Sequence, residues 1–149
     1  MKKVLFCSAV FLSFLLESRI SFFGIQPDLS AALAFYFGLR NGETKGMLFG
    51  SLVGLIGDGL SGGILGPNLL AKGLVGFFAS FMSGSVFRWT PLLGLIGISV
   101  LTALAGLTVF LSRTFFEHPP TSASRAITII LISAVINSSI GLFVRPRDE

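Results

Sequence analysis

Leu92-Leu93-Gly94-Leu95-Ile96-Gly97-Ile98-Ser99-Val100-Leu101-Thr102-Ala103-Leu104-Ala105-Gly106-Leu107-Thr108-Val109-Phe110-Leu111 contains no charged side chain. A helix needs about 20 predominantly apolar residues to cross a hydrocarbon layer of ~30 Å, and this run has that length. Ala126 to Val144 is a second charge-free run, and Arg88 and Arg113 bracket the first as Arg125 and Arg145 bracket the second. Charged residues make up only 12% of the 149-residue chain, against roughly 25% in soluble domains. With a mean hydropathy of +0.87, there is too little charge to cover a water-facing surface. The expected class is an all-α, polytopic protein of a lipid bilayer. Its net charge of +4 comes from basic residues scattered singly at the ends of apolar runs; that pattern sets topology and is not a nucleic-acid patch. The single Cys7 excludes an internal disulfide and a paired-cysteine metal site.

Working outward from these runs, residues 67–87 form a third span, interrupted by Lys72 about one turn from its start, where the side-chain stem can snorkel to the surface. The N-terminal half is less regular. Residues 4–25 read as one span carrying Glu17 and Arg19, and an uncleaved span is preferred to a signal peptide because no Ala-x-Ala site follows. Residues 28–40 and 43–58 are short apolar helices joined by the polar turn Arg40-Asn41-Gly42-Glu43. A re-entrant hairpin would bury Arg40, Glu43 and Lys45 in lipid, so two short crossings are favoured. The reading is a compact bundle of six spans in one domain: 4–25, 28–40, 43–58, 67–87, 91–112 and 125–144. Lys2, Lys3, Arg40, Lys45, Arg88, Arg145 and Arg147 fall on one side, and Arg19, Arg113 and Arg125 on the other. That bias places both termini in the cytoplasm.

Gly46, Gly50 and Gly54 recur every four residues and so line one face of the third helix. Lipid provides no hydrophobic drive for helices to associate, and a groove of small residues is the usual substitute. That groove faces either another helix of the bundle or a helix of a partner. Asn137, with Ser133 and Gly141 one turn away on either side, forms a polar stripe in the last span that can hydrogen-bond a neighbouring helix.

Asp58-Gly59-Leu60-Ser61-Gly62-Gly63-Ile64-Leu65-Gly66-Pro67-Asn68 is rich in helix breakers, so the backbone is expected to turn here, on the outer face. Asp58 and Lys72 are candidates for an ion pair. The pattern Asp-x-x-Ser-Gly-Gly-x-x-Gly-x-Asn, carried by Asp58, Ser61, Gly62, Gly63, Gly66 and Asn68, follows Gln26-Pro27-Asp28-Leu29 at the second span. Together these motifs resemble the MreD family, the rod shape-determining membrane proteins of bacteria. The resemblance implies a six-span protein of the cytoplasmic membrane without known catalysis. It implies a place in the complex that elongates the side-wall peptidoglycan, beside MreC, the glycosyltransferase RodA, its penicillin-binding transpeptidase and the actin-like MreB. The family is also similar to the substrate-binding subunits of energy-coupling-factor transporters. The turn with Asp58, Ser61, Gly62, Gly63, Gly66 and Asn68 then has two readings: a polar rim on which an extracytoplasmic partner docks, or a helix end that only fixes the turn.

Catalytic readings find little support. Gly59-x-Ser61-x-Gly63 matches the nucleophile-elbow string, but an elbow needs a strand before the serine, and His118 precedes Pro119-Pro120 in a loop. One histidine, one thiol and scattered carboxylates give no metal-ligand spacing. No phosphate loop or dinucleotide fingerprint occurs, so no cofactor is expected. The competing function is a transporter subunit, because Glu17, Arg19, Asp28, Asp58 and Lys72 fall in the outer half of the first four spans and permit a polar pocket.

Overall fold

A computed structural model describes residues 2–19, 28–83, 88–116 and 122–145. Among them the chain forms six helices and no strand: α1 (Lys2–Arg19), α2 (Leu29–Asn41), α3 (Glu43–Ser61), α4 (Pro67–Phe81), α5 (Pro91–Phe116) and α6 (Ala123–Gly141). Two of these, α5 and α6, are long and apolar enough to cross a membrane by length and composition.

Helix boundaries differ from the expected spans for local reasons. The third helix continues through Ser61, one turn beyond Asp58, because Gly59 and Leu60 keep helical backbone and only Gly62, at φ +66°, terminates it. A left-handed residue at a helix C-terminus is the position where glycine avoids a Cβ clash. The fifth helix runs to Phe116 instead of stopping at 112, since no breaker precedes Pro119 and Arg113 in the last turn faces the negative end of the helix dipole. The sixth starts at Ala123 and ends at Gly141. The fourth ends at Phe81, and the rest of its expected span includes residues outside those described. The same holds for residues 20–25 of the first.

The helices associate through small residues. A Cβ at Gly46 would overlap the carbonyl of Gly76, one at Gly50 the carbonyl of Lys72, and one at Gly54 the carbonyl of Asn68. Antiparallel α3 and α4 therefore meet backbone to backbone over three turns, and the glycine groove faces α4 of the same chain. Gly94 and Gly141 stand in the same reciprocal relation, each blocked by the other's carbonyl, where α5 meets α6. Ala31, Ala34, Phe35, Ala71, Val75 and Ile98 fill the centre, all at most 1% exposed. Many other large apolar side chains point outward, with Leu52 at 59%, Leu92 at 63% and Val135 at 66% exposure. Close glycine contacts and buried polar groups inside, under a largely apolar exterior, are the arrangement expected of helices whose surroundings are lipid.

Candidate functional site

Helices α1, α3 and α5 end, and α2, α4 and α6 begin, around one end of the bundle, and the polar residues picked out in the sequence gather there. Asp58 is fully buried on the face of α3 that meets α4. Its carboxylate accepts hydrogen bonds from the backbone N–H groups of Gly66 (2.9 Å), Asn68 (3.1 Å) and Leu69 (3.1 Å), and from Asn68 Nδ2 (2.8 Å). The first N–H groups of a helix have no partner within it, so Asp58 caps α4 from the end of α3. Ser61 Oγ donates to the Asp58 carbonyl at 2.9 Å and closes the last turn of α3. Gly62 and Gly66, at φ +66° and +136°, supply the two left-handed turns between the helices. Ser61, Gly62 and Gly63 are exposed, Asn68 is half-buried, and Asp58 lies beneath them.

The candidate Asp58–Lys72 pair does not form. Lys72 instead reaches Asp28, with Nζ 3.4 Å from Oδ1, and Nζ donates to Ser30 Oγ. Asp58 is already surrounded by amide donors and lies toward the turn, whereas Lys72 points across to the start of α2. Lys72 does not snorkel either: it is 5% exposed, because a carboxylate and a hydroxyl await it inside the bundle.

Asp28 is the hub of this second group. Its Oδ1 accepts from the Ala31 N–H at 2.9 Å and from Ser30 Oγ at 2.8 Å, an N-cap for α2. Its backbone carbonyl accepts from Asn137 Nδ2 at 2.8 Å, and the same amide nitrogen donates to Thr102 Oγ1 at 3.2 Å. Asn137, wholly buried, thus ties α6 to the start of α2 and to α5. Glu17 closes the group from α1 by accepting from the Ser30 N–H. Sequence reasoning brought Glu17 and Lys72 together only as members of the polar pocket of the transporter reading; their signal was an ionisable side chain within an apolar helix. Pro27 and His118 lie outside the described residues.

Between the two groups opens a cavity of about 610 Å³, into which Glu17, Asp28, Lys72, Asn68 and Arg113 project beside apolar side chains of α5 and α6. Among the described residues no group of three metal-ligating side chains occurs.

The family model of the rod shape-determining protein MreD matches residues 1–138. The chain belongs to the MreD family. It is thereby a member of a family of rod shape-determining membrane proteins. Asp58, Ser61, Gly62, Gly63, Gly66 and Asn68, the residues that carried the resemblance, all lie within the matched stretch. In this MreD family member, Asp58 and Asn68 join two helix ends. No curated protein and no solved structure matches the chain.

Proposed function

We propose that this chain is a non-catalytic, six-span scaffold of the bacterial cell-elongation complex in the cytoplasmic membrane. It supports rod shape and side-wall peptidoglycan synthesis through MreC and the RodA–transpeptidase pair, with MreB on the cytoplasmic side. The match to the rod shape-determining family over residues 1–138 carries this reading. The lipid-like exterior supports six crossings, including the short α2 and α4, whose polar ends reach the interface where the bilayer thins. Both termini face the cytoplasm, and the exposed turn at Ser61, Gly62 and Gly63 faces outward as the surface on which MreC docks.

Depletion in the host tests the function. Rods are expected to become spheres; cells that stay rod-shaped overturn it. Ser61→Trp tests the docking surface, with MreC recovery expected to fall while abundance of the chain stays constant. Equal recovery removes this turn from the interface.

The charged cavity favours a second reading, a small-molecule-binding subunit of the energy-coupling-factor type. Loss of uptake of one nutrient with unchanged cell shape selects it over the scaffold.

A further inference from the structure

A second cavity, of about 310 Å³, lies where α1, α2 and α6 meet, lined by Leu12 and Leu16, Leu33 and Tyr36, and Ile140 and Val144. Its polar side chains are already engaged. Ser13 Oγ donates to the Val10 carbonyl at 2.7 Å, and the Tyr36 hydroxyl accepts from Arg40 Nη1. A buried water needs two to four polar partners, so this space suits an apolar occupant. One turn of a helix, about 10 Å across and 5.4 Å tall, fills roughly 400 Å³, more than the groove holds. A hydrocarbon chain is narrower than a helix, and lipid tails are as apolar as the leucines here.

Basic side chains mark one end of the groove. Helices α2 and α6 both run toward that end, where α2 carries Arg40 one turn beyond Tyr36, with its guanidinium carbon 5.3 Å from the ring centre. Arg145 directly follows Val144. Both arginines are exposed, and among the described residues neither has a carboxylate within ion-pair distance. Tyr36 takes up one guanidinium N–H and leaves others to donate. Glu43 is the one acid among the described residues at this end of the bundle, against Arg40, Lys45, Arg88 and Arg145, so the local field attracts anions.

We propose that the groove between α1, α2 and α6 seats one acyl chain of an anionic phospholipid, whose phosphate is held by Arg40 and Arg145. The planar arginine fork matches phosphate oxygens, and basic residues between helices at the edge of the hydrocarbon layer recognise anionic heads. Tyr36, which lines the groove and binds Arg40, joins the apolar part of the site to the charged part. The site requires only that the chain lie in a bilayer; it goes beyond the scaffold reading and stands or falls separately from it.

Native mass spectrometry of the purified full chain in detergent tests the site. The probes are phosphatidylglycerol, phosphatidylcholine of the same chain length, and water-soluble glycerol phosphate. Phosphatidylglycerol is expected to bind about tenfold more tightly than phosphatidylcholine, since each arginine near the surface favours an anionic head, and Arg40→Gln/Arg145→Gln to abolish that preference. Leu33→Trp, which fills the groove and leaves both arginines in place, is expected to weaken binding of both lipids about tenfold by overpacking. The arginines are exposed, so their double variant keeps the test decisive if Leu33→Trp does not fold. Equal binding of the two lipids by the native chain, an unchanged preference in the double variant, unchanged binding in Leu33→Trp, or glycerol phosphate binding as tightly as the lipid overturns the proposal.

Discussion

Asp58 replaces water for the backbone N–H groups of Gly66, Asn68 and Leu69 at the start of α4, and its burial makes that role expensive to lose. Hydrogen bonds to a charged group contribute about 1.5–3 kcal/mol each, and an unsatisfied buried donor costs about 1–3 kcal/mol. Asp58→Asn turns an amide NH₂ toward those donors, so unfolding in detergent is expected to show a loss of about 3 kcal/mol. An unchanged unfolding midpoint would remove the cap from the account. Lys72→Met leaves Asp28 without its cation and is expected to cost about 3–5 kcal/mol. The double variant Asp28→Asn/Lys72→Met should be less damaging than the sum of the two single changes, because it removes the charge that the single change strands. Additive losses would show that the pair is not coupled. Gly62→Ala is expected to cost about 1–2 kcal/mol, since its φ of +66° is the left-handed region that a Cβ disfavours.

At the scale of elements, α3 and α4 are held by contact between their backbones. Gly50 and Gly57 lie seven residues apart on α3, but their surroundings differ. A Cβ at Gly50 meets the Lys72 carbonyl, whereas one at Gly57 lies 3.5 Å from the Phe14 ring, an ordinary contact. Gly50→Ala is therefore expected to separate the helices and lower folded yield in detergent, while Gly57→Ala leaves it near the native level. Gly59, helical with nothing within 4 Å of its Cβ position, gives the opposite sign. Gly59→Ala should raise stability by about 0.5–1 kcal/mol, because alanine loses less backbone freedom than glycine on folding. The four-residue period makes a line of glycines visible in the sequence. Which helix fills it is a matter of which antiparallel neighbour offers matching small residues, and Gly73 and Gly76 of α4 do so.

For the whole molecule, the topology is tested with thiols on a cysteine-free background. Ser61→Cys is expected to react with an impermeant reagent in intact cells, and Lys45→Cys only after the membrane is opened. Reaction at both positions from outside would undo the proposed orientation. Six helices were legible as apolar stretches between Gly, Pro and charge clusters, because helix length and side-chain polarity are local properties. Their ends were less so: the chain shows Asp58 as a polar break, yet a buried acceptor that caps another helix leaves its own helix running to Ser61. The composition of 149 residues by itself determined an all-α chain with an apolar exterior, and its motifs determined the family. Only tertiary structure decided that Lys72 pairs with Asp28 and Ser30, that Asn137 joins α2 to α5 and α6, and that Glu17 accepts the Ser30 N–H beside the cavity. Partners 13 to 109 residues apart are chosen by how helices pack, and no local pattern encodes that choice.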